Sequence, residues 1–184
     1  MNGLLAAAAE IQDFLQRGHE RFCFIGGIAL QRWGEPRFTR DVDITLLCPY
    51  GEEASRADRL LSHFAARIPD ARDFALQHRV ILLNSAANVP IDVALGAIPF
   101  EERCIARATL FDFGGARLLS CSAEDLIVMK AFAGRDRDWA DIETVVMRQS
   151  TALHWPQILA EITPLAGLRE GGNALSRLEK LRPS

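Results

Sequence analysis

The sequence lacks the features that mark several classes of protein. Its four cysteines are widely spaced and form no CxxC pair. Isolated cysteines in apolar runs are typical of small buried residues in a reducing compartment, so we expect neither a zinc site nor a disulfide framework. The net charge of −3 at pH 7 excludes the overall basic character of a dedicated nucleic-acid binder, although it is compatible with local basic patches.

Long hydrophobic runs and low-complexity tracts are also missing. The apolar stretch over residues 4–9 has no basic segment before it and is far too short to span a membrane. We therefore expect no signal peptide and no membrane anchor, and we predict a cytoplasmic protein. The remaining composition, with 49% hydrophobic and 24% charged residues, is that of an ordinary globular protein.

The most informative stretch of the sequence runs from Phe22 to Leu47. It opens with a short apolar run, residues 22–25, which predicts a buried strand. Gly26 and Gly27 follow, and they predict a sharp turn that leaves backbone N–H groups uncovered at the start of a short helix. Such uncovered N–H groups can bind an anion.

Two aspartates lie one residue apart in the second strand that we predict, Asp41–Leu47. Because side chains alternate along a strand, Asp41 and Asp43 point to the same face. Two carboxylates held so close repel each other, and this arrangement favours a divalent cation between them. Asp92 stands alone among apolar residues of a later predicted strand, residues 89–95, and needs a partner there. If the two strands are neighbours, three carboxylates converge.

The rest of the pattern predicts an α+β fold, with a mixed sheet flanked by helices. We predict a core over residues 1–121 and a helical segment packed on it over residues 122–184, where residues 173–184 are polar and expected to fray. Arg56, Arg59 and Arg67 lie on a face of a predicted helix that we interpret first as solvated and second as a contact for a polyanion. The predicted helices cover residues 3–17, 52–67, 122–134, 135–148 and 155–162, and the further strands form one antiparallel hairpin over 78–84 and 89–95 and another over 106–113 and 116–119.

Gly26-Gly27, Asp41-Val42-Asp43 and Asp92 together resemble the nucleotidyltransferase superfamily of the DNA polymerase beta fold. That superfamily combines a glycine turn, an Asp-x-Asp strand and a lone acidic residue on a following strand, and the similarity covers roughly residues 20–95. The resemblance implies transfer of a nucleoside monophosphate from a nucleoside triphosphate. It also implies that the three aspartates are catalytic and hold two Mg²⁺ ions.

Two further stretches, PRFTRDVDI at 36–44 and AEDLIVMKAFAGRDRDWADI at 123–142, resemble the AbiEii-type nucleotidyltransferases, a group that includes toxins of toxin–antitoxin systems. The resemblance implies an antitoxin as a protein partner. It implies RNA, tRNA or protein as the acceptor. The residues that it places at the nucleotide are Arg37, Thr39 and Lys130, and those in the charged motif that follows are Arg135, Asp138 and Asp141.

Simple structural roles also explain several of these residues. Asp138 and Asp141 lie three apart on one helical face, where they can pair with Arg135 and Arg137. Lys130 lies near a helix end, where the helix dipole favours a lysine. The sequence leaves both interpretations open.

The roles of two arginines and the acceptor of the reaction are equally open at this point. Arg37 and Arg40 either neutralise the acidic cluster or touch phosphates. The same fold also serves enzymes that transfer a nucleotide to a small molecule such as an aminoglycoside. A catalytically inactive binding module of this fold is also compatible with the sequence.

Overall fold

The computed structural model describes residues 3–168 and 173–182. The chain divides into two compact units. The first takes in the chain up to Ile28 together with Phe38–Cys121, and the second takes in Ala29–Arg37 together with the chain from Ser122 onwards. Among the described residues, no helix is both long enough and apolar enough to span a membrane.

The first unit is built on a mixed sheet. Within the described residues its strands are β1 Phe22–Phe24, β2 Val42–Leu47, β3 Ala65–Ala66, β4 Val80–Asn84, β5 Pro90–Gly96, β6 Thr109–Asp112 and β7 Arg117–Ser120. Their order in the sheet is β3-β4-β5-β2-β1-β7-β6. β2 runs antiparallel to β1 and parallel to β5, while β4–β5 and β6–β7 form the two predicted antiparallel hairpins. The α+β prediction is therefore confirmed.

Helices accompany this sheet, and the first of them, α1 (Gly3–Arg17), shows how they attach to it. Its residues Ile11 and Leu15 belong to the same buried apolar cluster as Phe24 and Ile44 of the strands. Gln12, also buried, donates from Nε2 to the Arg117 carbonyl at 2.7 Å and accepts at Oε1 from the Leu119 N–H at 2.9 Å. The helices that begin in this unit are α1 Gly3–Arg17, α2 Gly26–Trp33, α3 Glu53–Leu61, α4 Ala71–His78 and α5 Pro99–Arg107.

The described residues of the second unit from Ser122 onwards are mainly helical. The Ser122 side chain accepts a hydrogen bond from the Asp125 N–H at 3.1 Å and caps the first helix, which ends where Gly134 takes a left-handed conformation. The helices are α6 Ala123–Ala133, α7 Asp136–Gln149, α8 Trp155–Ala166 and α9 Ala174–Leu181, with a 3₁₀ turn at Ser150–Ala152.

Several boundaries differ from the sequence prediction. The helix predicted over 52–67 ends at Leu61, because the chain turns there to bury Phe64 and then forms β3. The strand predicted from residue 106 begins at Thr109, since residues 106–107 still belong to α5.

The structure also contains helices that the sequence pattern does not predict. α4 and α5 occupy segments for which the pattern predicts either no element or the start of a strand. The prediction that residues 173–184 fray is wrong for α9, because Leu178 of this helix is fully buried and anchors it. Residues 183–184 lie outside the described part of the chain.

Candidate active site

Three carboxylates meet where β2 and β5 run side by side in the first unit. Asp43 on β2 pairs in register with Asp92 on β5, and residues in register on neighbouring strands point to the same face. Asp41 lies two residues before Asp43 and therefore shares that face. Oxygen atoms of all three lie within 4.8 Å of one another. The predicted convergence is confirmed, and the alternate residues Val42, Ile44, Ile91 and Val93 are fully buried in the core.

The donor set of this cluster fits a hard divalent cation. It consists of carboxylate oxygens, which are the ligands that Mg²⁺ takes from proteins, and three such charges repel one another when nothing lies between them. Asp92 Oδ1 is buried and accepts no well-directed hydrogen bond from the described residues. Arg67 Nη1 lies 2.6 Å from it as an ionic partner, with its N–H not aimed at the oxygen. Asp92 therefore keeps an oxygen able to act as a ligand.

The glycine pair allows the chain to approach these carboxylates closely. Gly26 has a φ of +54°, and a Cβ there would lie 2.1 Å from Asp43 Oδ2. A Cβ on Gly27 would lie 2.4 Å from Thr39 Oγ1. The Gly27 N–H is not uncovered as expected from the sequence, because it donates to Asp43 Oδ2 at 3.4 Å. Helix α2 starts at Gly26 itself, with no separate turn before it.

The loop before β2 contributes a further contact to the cluster. Thr39 Oγ1 donates to Asp41 Oδ1 at 3.0 Å, which fixes one orientation of that carboxylate. Arg40 is exposed and lies over the ring of exposed Phe38, with 5.7 Å between the guanidinium carbon and the ring centroid. Thr39 is thus part of the cluster's hydrogen bonding.

The other predicted site residues form a buried ionic network in the second unit. Lys130 Nζ lies 2.6 Å from Asp141 Oδ2 and 3.5 Å from Asp138 Oδ1. Arg135 donates to Asp138 through Nε at 2.6 Å, and Arg37 donates to both oxygens of Asp141 at 2.9 Å. Lys130, Asp138 and Asp141 are only 6%, 3% and 5% exposed. The expected Asp138–Arg135 pair is present, and the partners of Asp141 are Arg37 and Lys130.

These contacts keep both aspartates ionised. Burial raises the pKa of Asp138, but the hydrogen bond from Arg135 and the positive charges of Lys130 and Arg135 outweigh burial, so the pKa lies below its usual value. Burial likewise raises the pKa of Asp141, and the hydrogen bonds from Arg37 and Lys130 bring it below the usual value. The network is therefore a set of opposite charges at neutral pH.

The structure thus brings Gly26, Gly27 and Thr39 to the aspartate cluster of the first unit, and it joins Arg37, Lys130 and Asp138 within the second. Arg67 is a site residue that the sequence pattern does not predict. The pattern places Arg67 on a solvated helix face, because no glycine or proline marks the end of α3. The residue instead follows edge strand β3, where it faces Asp92.

Known proteins share this architecture. An antigenic nucleotidyltransferase-like protein from Paracoccidioides brasiliensis is 17% identical, with a TM-score of 0.55 over 94% of this chain and 92% of that one. The antibiotic-resistance factor ANT(2'')-Ia is 14% identical, with a TM-score of 0.56 over 96% of both chains. At such identities the likeness shows the fold alone, and it confirms the predicted nucleotidyltransferase fold.

Sequence comparison identifies the family. No curated protein matches the chain. The family model described as the nucleotidyl transferase AbiEii toxin of a type IV toxin–antitoxin system matches residues 13–151, which is most of the chain and includes the aspartate cluster and Lys130. The resemblance drawn from the sequence motifs is therefore confirmed, and the protein is a nucleotidyltransferase that belongs to the AbiEii toxin family.

Proposed function

We propose that the protein transfers a nucleoside monophosphate from a nucleoside triphosphate to a hydroxyl of RNA or tRNA, and that it is the toxin of a toxin–antitoxin pair. A protein hydroxyl is the other macromolecular acceptor that the family resemblance implies. The observation that carries the proposal is the convergence of Asp41, Asp43 and Asp92 within 4.8 Å, on strands of a nucleotidyltransferase fold.

Each residue of the cluster has a proposed role. Asp41, Asp43 and Asp92 would hold two Mg²⁺ ions, which when bound supply charge stabilisation to the triphosphate and lower the pKa of the attacking hydroxyl. A carboxylate oxygen of Asp92 would accept the proton of that hydroxyl. Thr39 would keep Asp41 oriented through its 3.0 Å hydrogen bond. The backbone at Gly26 and Gly27, where a side chain would collide with Asp43 or Thr39, would lie against the β- and γ-phosphates.

The remaining assignments come from the family resemblance. Lys130 would neutralise charge on the departing pyrophosphate, Arg37 would contact the nucleotide, and Arg40 and Asp138 are weaker candidates for the same group. Lys130 and Arg37 also hold Asp141. Their substitution should therefore affect folding as well as binding, and nucleotide binding has to be measured on variants shown to be folded.

A labelling experiment tests the proposal. The natural protein is incubated with each labelled nucleoside triphosphate, Mg²⁺ and total cellular RNA. We expect the RNA to gain label. Asp41→Asn removes one carboxylate charge with little change of volume, and we expect it to lower the rate by about a thousandfold or more because catalysis depends on electrostatic positioning. If a folded Asp41→Asn variant transferred nucleotide at the rate of the natural protein, the catalytic role assigned to Asp41 would be refuted.

A small-molecule acceptor is the second candidate. One structural relative of nearly equal length is an antibiotic-resistance factor, and the net charge of −3 suits a cationic acceptor. Label entering an added aminoglycoside and not RNA would favour this activity. An inactive binding module predicts a different result, namely no change in melting temperature with Mg²⁺ and any nucleoside triphosphate.

A further inference from the structure

Arg67 lies in the same row of the sheet as the catalytic carboxylates. Its backbone N–H donates to the Leu82 carbonyl at 3.0 Å, which continues the β3–β4 pairing by one residue. Leu82 pairs in register with Asp92, and Asp92 pairs with Asp43. The row therefore runs from Arg67 through Leu82 and Asp92 to Asp43. Residues of one row share a face, so the Arg67 side chain projects on the side where the carboxylates cluster.

The Arg67 side chain forms an ion pair with Asp92 of the same row. Arg67 Nη1 lies 2.6 Å from Asp92 Oδ1, and the two side chains are 27% and 31% exposed. The contacted oxygen is itself buried and accepts no directed hydrogen bond from the described residues. Arg67 thus contributes a positive charge, and not a hydrogen bond, to an oxygen that also belongs to the three-carboxylate cluster.

We infer that Arg67 is a positioning residue that holds Asp92 in the metal-free enzyme and competes with divalent cations for Asp92 Oδ1. The inference rests on the proposed metal-dependent transfer. In the metal-free protein the guanidinium offsets the mutual repulsion of the three carboxylates. When the cluster takes up a divalent cation, the same guanidinium is a like charge beside it and lowers the affinity.

Two opposite effects of removing Arg67 follow from this role. The metal-free protein loses stability, because the repulsion within the cluster is no longer offset. The affinity for divalent cations rises, because a competing positive charge is gone. A merely solvated ion pair would do neither, since exposed pairs contribute little.

The experiment compares Arg67→Gln with Arg67→Lys, which keeps the charge. Arg72→Gln is the matched control, because Arg72 forms an exposed ion pair in the same unit with Asp58, which does not belong to the carboxylate cluster. Mn²⁺ affinity is measured by electron paramagnetic resonance, and melting temperature is measured with EDTA and with saturating Mn²⁺.

For Arg67→Gln we expect Mn²⁺ binding on the order of tenfold tighter than in the natural protein. We also expect a lower melting temperature in EDTA, with a difference that shrinks under saturating Mn²⁺. We expect Arg67→Lys and Arg72→Gln to bind Mn²⁺ with nearly the affinity of the natural protein. Unchanged or weaker Mn²⁺ binding by Arg67→Gln would overturn the inference.

The controls separate this inference from the proposed function. If the natural protein binds Mn²⁺ and Asp92→Asn weakens the binding, but Arg67→Gln binds like the natural protein, only the role of Arg67 fails. If the natural protein binds no Mn²⁺, the metal-dependent proposal fails. A double-mutant cycle of Arg67→Gln and Asp92→Asn in EDTA then still decides the positioning role, because zero coupling between the two residues would exclude it.

Discussion

The arrangement of the site carboxylates depends on residues that carry no charge. Gly26 and Gly27 let the chain pass against Asp43, and the Thr39 hydroxyl holds Asp41. In a sequence, two adjacent glycines can serve many different structural purposes. In the structure its main effect is steric, because either Cβ would overlap a residue that belongs to the cluster or orients it. Anion binding at the same backbone remains a proposal.

Replacement of Gly27 by alanine should destabilise the protein. The added Cβ would lie 2.4 Å from Thr39 Oγ1 and 2.7 Å from Thr39 Cβ, so the loop before β2 must move. Overpacking of this kind costs about 1–3 kcal/mol. Equilibrium unfolding in urea measures the change in the free energy of unfolding.

Gly167→Ala is the matched control for that measurement. Gly167 has an ordinary φ of −69°, and the nearest atom to an added Cβ is 3.8 Å away. We expect this variant to unfold with an unchanged or slightly higher free energy. Equal free energies for Gly27→Ala and Gly167→Ala would show that the loop adapts without cost.

At the scale of secondary-structure elements, the sequence predicted the strands of the site well. Strand alternation alone placed Asp41 and Asp43 on one face, and the isolation of Asp92 among apolar residues indicated that it must face a partner. These inferences were local or depended on a single pairing, β2 with β5. The sequence leaves that pairing conditional, and the structure shows that the two strands are neighbours.

The missed elements depend on contacts that a local pattern does not contain. α3 ends without a glycine or proline because Phe64 turns into the core. α9 is short and polar, and it is held by Leu178 and by Arg177, which lies 3.9 Å over the Trp139 ring. α5 does carry a local signal in its sequence. Pro99 at its start is followed by Glu101, whose carboxylate accepts from the Ala97 and Ile98 N–H groups.

Lys130→Met should destabilise the packing of α6 against α7. The substitution leaves Asp138 and Asp141, both nearly inaccessible to water, without the cation that bridges them. Removing one partner of a buried ionic network costs about 3 kcal/mol. Thermal and urea unfolding of the purified variant measure this loss.

The chain's other lysine provides the control. Lys180 lies on α9 and is exposed, so Lys180→Met should change the free energy of unfolding by less than about 0.5 kcal/mol. If Lys130→Met unfolds like Lys180→Met and nevertheless loses nucleotide binding, the structural role assigned to the network is wrong and the binding role is favoured.

On the scale of the whole molecule, the two charged clusters differ in kind. The first unit holds like charges together at Asp41, Asp43 and Asp92, which is costly for stability and useful for binding a cation. The second unit buries opposite charges that satisfy one another around Lys130. Stability should therefore respond to divalent cations through the first cluster and to acid through the second.

The acid response can be tested with Asp141→Asn. Because the pKa values of Asp138 and Asp141 are lower in the folded protein than in the unfolded chain, their contribution is complete above the unfolded value of about 4. It is lost as the pH falls through the lowered folded values. We expect the natural protein to keep its melting temperature between about pH 7 and pH 5 and to lose stability below about pH 4.

Asp141→Asn should melt at a lower temperature than the natural protein at neutral pH, and the difference between the two should shrink below about pH 4, because the variant lacks one of the two depressed carboxylates. Asp58→Asn is the control, since the pKa of Asp58 is also lowered, by its hydrogen bond from Arg72, but the pair is exposed and screened by water. The melting temperature of Asp58→Asn should match that of the natural protein at every pH from neutral to acid. A constant difference between Asp141→Asn and the natural protein from neutral to acid pH would mean that the buried network does not govern acid unfolding.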